Sequence, residues 1–255
     1  MDGTLFAILS IIIVFLMEVL GASLVYCLKK EVSGIVNTII FGVSAGVMLA
    51  SVFFSLLLPS IEKAKNNWGK SGFLWITVAF LLGTALMLAT DFVICNKEKS
   101  QSAQAKKLFF SMALHNIPEG LALGFAFGAA FSNAIATPYV AILGLAIGIG
   151  FQNIPEGAAV ALPLKAVYHN SHKAFLYALA CAAVEPICGI IGYFCASMLY
   201  SLQTWLLAFA AGAILFVTIE ELLPMSKEQE NGVAWGTIAV ICGFWVMAIM
   251  EYCIY

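Results

Sequence analysis

The sequence predicts an all-α integral membrane protein of eight transmembrane helices in a 3+2+3 inverted-repeat arrangement. Three observations predict it. The first is composition: 62% of the 255 residues are hydrophobic, only 10% are charged, and mean hydropathy is +1.00, whereas soluble domains average about 25% charged residues. The second is run length. Crossing ~30 Å of hydrocarbon takes ~20 apolar helical residues, and such runs lie at 5–28, 34–58, 72–95, 107–131, 138–164, 173–200, 203–225 and 232–254. The third is internal repetition, in an outer pair of spans and in a central pair.

Taken in order, the first span begins close to the N-terminus, with Asp2 where a secretory signal carries its basic region. It is therefore expected to be a retained span. The second contains Ala45-Gly46 followed by Leu57-Leu58-Pro59, and the seventh contains Ala211-Gly212 followed by Leu222-Leu223-Pro224. The fourth and fifth carry two near-identical hexapeptides, His115-Asn116-Ile117-Pro118-Glu119-Gly120 and Gln152-Asn153-Ile154-Pro155-Glu156-Gly157. Eight alternating spans make the first three start on one side and the last three on the other, so the repeat is inverted. Inverted repeats with broken helices at the midplane mark transporters. Residues 1–255 form one transmembrane domain with no soluble domain left over.

All twelve basic residues are lysines. With the N-terminus outside, Lys29, Lys30, Lys97, Lys99, Lys106, Lys107, Lys165, Lys173 and Lys227 face the cytoplasm, and only Lys63, Lys65 and Lys70 face out. That is the expected excess of positive charge in cytoplasmic loops. It predicts a multi-pass protein of the plasma (inner) membrane with both termini extracytoplasmic. The longest inner loop, from about Asn96 to Lys107, reads as polar and flexible and holds no histidine.

Ionisable residues are costly inside apolar spans and usually functional. In each hexapeptide the first and fifth positions are four residues apart, so the His or Gln and the Glu project from one helix face with the Asn beside them. The Pro before each Glu has no N–H, which frees the carbonyl of Leu114 or Phe151 and bends the helix. Glu185, followed by Pro186, repeats the pairing of carboxylate and broken helix. Glu119, Glu156 and Glu185 thus form an apolar-span trio with no arginine anywhere and no lysine nearby. Buried carboxylates of this kind either protonate or find a counter-ion, and a divalent cation is the simplest one. Imidazole, carboxamide and carboxylate together suit zinc, iron(II), manganese, cobalt or cadmium, whereas copper(I) calls for Cys or Met. Gly120, Gly124 and Gly128, with Gly144 and Gly148, fall at four-residue spacing and allow the central helices to approach closely.

The paired hexapeptides, Glu185-Pro186, and the Gly-Val-Met-Leu-Ala and Glu-Glu-Leu-Leu-Pro elements of spans two and seven resemble the ZIP (Zrt-, Irt-like protein) family of divalent metal transporters. The resemblance covers nearly the whole chain, and the hexapeptides are its most specific part. It implies two adjacent metal positions at mid-membrane. His115, Glu119, Gln152 and Glu156 would hold one metal and Asn116, Asn153 and Glu185 a second, with Glu119 and Glu156 bridging. It also implies uptake into the cytoplasm by alternating access, with helices one, four, five and six moving against the others. The chain departs from the family pattern in lacking a His-rich loop before helix four, and in having Gln152 where His is frequent and Asn153 where Asp occurs.

The remaining polar residues sort by depth. Asp91, Glu220 and Glu221 lie near the inner ends of helices three and seven; the alternatives are an exit site for the metal or solvated helix ends paired with Lys97 and Lys227. Glu18 reads as a packed, hydrogen-bonded or protonated carboxyl, Glu251 as an interfacial terminus, and His169 and His172 as solvated loop residues, with cytoplasmic metal capture as the alternative for the two histidines. The seven cysteines contain no Cys-x-x-Cys pair and read as small apolar side chains, with a soft-metal contact by Cys181 as the alternative. The metal is expected as transported substrate and not as a cofactor. Partners expected are the divalent ion and the lipid bilayer, with a homodimer left open and no nucleic acid. Two competing functions use the same residues: an intramembrane metallohydrolase with one metal and an activated water, and a proton-coupled carrier for another solute. The first lacks His-Glu-x-x-His, and its site would hold one histidine where catalytic zinc sites commonly use more.

Overall fold

The computed structural model describes residues 3–27, 34–94, 101–131, 139–199, 202–227 and 233–254, and all regular structure among them is helical. The helices are α1 (Gly3–Cys27), α2 (Gly34–Ser51), α3 (Leu58–Trp68), α4 (Gly72–Ile94), α5 (Gln101–Phe131), α6 (Tyr139–Tyr168), α7 (Ser171–Ala182), α8 (Val184–Leu199), α9 (Gln203–Val217), α10 (Leu223–Met225) and α11 (Val233–Ile254). Five segments are long and apolar enough to cross a membrane: Gly3–Cys27, Gly34–Val93, Ser171–Ala196, Gln203–Met225 and Val233–Cys253. Gly34–Val93 contains both the second and the third predicted spans, joined at the short 3-10 turn Gly69–Ser71. There Gly69 takes φ +59°, a backbone region open to glycine without a Cβ penalty.

The second predicted span, 34–58, runs further than expected. Its helix passes through a π-helical stretch, Val52–Leu57, and continues as α3 to Trp68. Pro59 is the cause: it supplies no N–H, and Leu58 N–H reaches back five residues to Phe53 O. The seventh span does the same before Pro224, with a π stretch at Thr218–Leu222 and Leu223 N–H donating to Thr218 O. Helix six breaks at Ala183, between α7 and α8 and just ahead of Pro186. The loop expected from Asn96 to Lys107 is also shorter than expected, because 101–107 already belongs to α5. Its first part, with Lys97 and Lys99, lies outside the described residues, as do Lys29, Lys30 and Cys95. The six described cysteines are free thiols.

Four helix pairs pack most extensively: α5 with α8, α2 with α11, α1 with α6 and α4 with α9. Glycine makes the close approach possible. Gly46 lies against the carbonyl of Val240 and Gly243 against that of Val43; Gly83 lies against the carbonyl of Phe209 and Gly212 against that of Phe80. A Cβ at any of these four would collide with partner backbone, which is the small-residue mode of membrane helix packing. The outward faces are apolar, as with Leu74, Leu81 and Leu82 on α4 and Ile241, Trp245 and Ile249 on α11. Glu18, His115, Glu119, Glu156, Glu185 and Glu251 are instead buried. This inversion of the soluble pattern suits a lipid surround.

Candidate metal centre

Helices α5 and α6 each carry one hexapeptide and pass through its proline without an end to the helix. The four-residue spacing of each stripe therefore survives, and the two stripes meet. His115, Asn116, Glu119, Gln152, Asn153, Glu156 and Glu185 are all buried to 1% exposure or less. His115 Nε2 stands 2.7 Å from Glu156 Oε1 on the other helix and 3.6 Å from Glu119 Oε2 on its own. Ligand atoms of His115, Glu119 and Glu156 all lie within 4.8 Å of one another. Gln152 Nε2 donates to Glu119 Oε1, and Asn153 Nδ2 donates to Glu185 Oε2 at 2.6 Å. Glu185 enters from the first turn of α8, where the helix N-terminus favours an anion.

The cluster is gathered but poorly paired. Among the described residues His115 Nε2, Glu119 Oε2, Gln152 Oε1, Asn153 Oδ1, Glu185 Oε1 and both oxygens of Glu156 have no hydrogen-bond partner. His115 and Glu156 are close, yet not in hydrogen-bond geometry. Unsatisfied buried polar atoms cost about 1–3 kcal/mol each, so such a cluster persists where a ligand repays it. Zinc bonds to N and O measure about 2.0–2.2 Å, so an ion among these three residues would draw the outermost ligand atoms inward.

Sequence reasoning assigned Glu18 a packing role without naming its partner. The structure places it at 1% exposure, with its Oε1 accepting from Asn116 Nδ2 at 3.5 Å. Asn116 Nδ2 also lies 3.3 Å from the Cys181 carbonyl. Gly157 packs on the carbonyl of Glu18, just as Gly120 packs on that of Glu185. The available signal in the sequence was another carboxylate within an apolar span.

Asp91, Glu220 and Glu221 do come together, around Lys107, while Lys97 lies outside the described residues. Lys107 Nζ is 2.8 Å from Asp91 Oδ1, 3.0 Å from Glu221 Oε1 and 3.8 Å from Glu220 Oε1. Glu251, near the end of α11, is 3% exposed and accepts from Ser55 Oγ. His172 Nδ1 hydrogen-bonds the Tyr26 hydroxyl at 3.0 Å, tying α7 to α1. The Cys181 thiol sits over the Phe109 carbonyl at 3.8 Å.

Residues 96–251 match the family model described as ZIP Zinc transporter. The chain belongs to this family. It is 31% identical over 271 residues to the zinc transporter ZupT of Chlorobaculum parvum, covering 97% of each chain. It is 28% identical over 323 residues to the human zinc transporter ZIP11, covering 92% of this chain and 93% of the relative. A third relative, the zinc transporter GufA of Myxococcus xanthus, is 31% identical over 205 residues, covering 74% of this chain and 78% of that one. The protein is thus a multi-pass membrane protein of a transporter family, and not an enzyme of the hydrolase kind.

Proposed function

We propose that the chain carries divalent metal ions, zinc foremost, across the membrane into the cytoplasm by alternating access. The observation that carries this reading is the buried convergence of His115, Glu119 and Glu156, whose ligand atoms all lie within 4.8 Å of one another. Zinc is also named in the relatives ZupT and ZIP11. Iron(II), manganese, cobalt and cadmium fit the same donor set. One position is formed by His115, Glu119, Gln152 and Glu156; a second, beside it, is formed by Asn116, Asn153 and Glu185 with both central glutamates bridging. Asp91, Glu220 and Glu221, gathered around Lys107, form an exit station for the ion.

Eight spans in a 3+2+3 inverted repeat are supported by correspondences across the four helix pairs. The π stretches before Pro59 and Pro224 correspond, as do the glycine pairs Gly46–Gly243 and Gly212–Gly83. The packing of α1 on α6 corresponds to that of α8 on α5. With both termini outside, in a plasma membrane, helix four runs outward and helix five inward.

The test is uptake of zinc and cadmium into metal-free liposomes holding the purified protein. Wild type admits the ions and Glu156→Ala abolishes entry. Undiminished uptake by that variant refutes the assigned site, and hydrolysis of peptide or lipid without metal flux refutes transport.

A further inference from the structure

Two hydrogen bonds at the centre are related by the repeat. Asn153 on α6 donates to Glu185 on α8, and Asn116 on α5 donates to Glu18 on α1. Two backbone contacts obey the same relation, Gly120 on the carbonyl of Glu185 and Gly157 on the carbonyl of Glu18. Each hexapeptide thus meets one carboxylate through its Asn, while its Gly packs on the backbone of the other. Glu18 is the counterpart of Glu185.

We propose that Glu18 is a ligand of the second metal position, standing across it from Glu185; this rests on the two-metal reading above. Its remaining oxygen, Oε2, is buried and unpartnered, as is Oε1 of Glu185. Its carboxyl lies within electrostatic reach of Glu156, His115 and Glu119, the residues of the first position. A packed structural carboxyl would instead be expected to satisfy both oxygens.

Charge balance points the same way. Buried ions must be compensated, and no lysine pairs with any of these carboxylates among the described residues. Glu119, Glu156 and Glu185 alone leave two divalent cations with uncompensated positive charge. Glu18 makes the count even. It also gives the second position one carboxylate on each flank, Glu185 from helix six and Glu18 from helix one. An ion there can lengthen its bond to one as it shortens its bond to the other, so release needs no fully stripped intermediate.

The experiment is equilibrium binding of zinc, and separately of cadmium, to the purified full chain, with stoichiometry and affinity read for wild type, Glu18→Gln, Glu18→Asp and Glu185→Gln. Glutamine keeps an oxygen to accept from Asn116, so a hydrogen-bonding role survives the change and a ligand role does not. Expected are two ions per wild-type chain. In Glu18→Gln the first ion binds with unchanged affinity and the second at least about tenfold more weakly, as in Glu185→Gln, and Glu18→Asp recovers part of the loss. Two ions at wild-type affinity in Glu18→Gln, with the loss confined to Glu185→Gln, overturn the role of Glu18 and leave the two-metal reading standing. A single ion in wild type and in every variant overturns both.

Discussion

Lys107→Met tests whether the ion cluster of Asp91, Lys107 and Glu221 holds the helix bearing His115 and Glu119. Lys107 lies eight residues before His115 on α5, and its partners lie on α4 and on the π stretch after α9. Methionine keeps the apolar stem and removes only the charge and its hydrogen bonds. The contacts at 2.8 and 3.0 Å join side chains that are 11–19% exposed. Charge-assisted hydrogen bonds of this kind contribute about 1.5–3 kcal/mol each, and partial exposure favours the lower figure. Glu220, at 3.8 Å and 50% exposed, adds little. The loss is then about 3 kcal/mol, which at roughly 2–4 °C per kcal/mol for a chain of this size lowers the thermal midpoint by about 6–12 °C. Melting of the purified protein in detergent measures it. Adding Asp91→Asn should restore part of the loss by relieving carboxylate repulsion. A midpoint within about 2 °C of wild type refutes the reasoning, since the three carboxylates would then be solvated independently.

Gly46→Val should separate α2 from α11, because its Cβ would meet the Val240 carbonyl and partner backbone cannot rotate away. A cost of about 1–3 kcal/mol, the usual range for overpacking, is expected in the same melting assay. Acidification should weaken metal uptake, because His115 and the glutamates bind metal in their deprotonated forms and a bound ion displaces protons. The apparent KM for zinc should therefore rise as pH falls, and a KM independent of pH between 5 and 8 would contradict the ligand set.

The hexapeptides made the core of the site legible, because spacing on a helix depends only on local geometry and Pro118 and Pro155 leave their helices continuous. The all-helical, membrane-spanning character was legible for the same reason, apolar length being a local property. What the sequence hid was long-range pairing. Nothing local links Glu18 to Asn116, ninety-eight residues apart, or Ser55 to Glu251, or Lys107 to Glu221. Helix continuity was hidden too. Pro59 reads as a stop, yet a π stretch absorbs its missing donor and the helix runs on to Trp68.

In the proposed repeat the backbone corresponds more closely than the side chains, and the differences between the two halves bear on the proposed function. Asp91 and Glu251 each lie eight residues beyond a packing glycine, Gly83 and Gly243. Asp91 is neutralised by Lys107. Glu251 meets the Ser55 hydroxyl and faces Gly148, where a Cβ would come within 3.0 Å of its Oε1. The hexapeptide register places Gly144 on α6 opposite Lys107 on α5, so the outer carboxylate lacks the ammonium that its inner counterpart has. In the proposed orientation the outer carboxyl, Glu251, has no cationic partner among the described residues, whereas the inner cluster around Asp91 already holds one in Lys107. Such asymmetry tunes the affinity offered to each side. It does not set the direction of flux, because a carrier without an energy source equilibrates its substrate whatever its binding constants. In that regime net entry follows the gradient of free metal, and the unequal ends determine how dilute a supply the protein still captures.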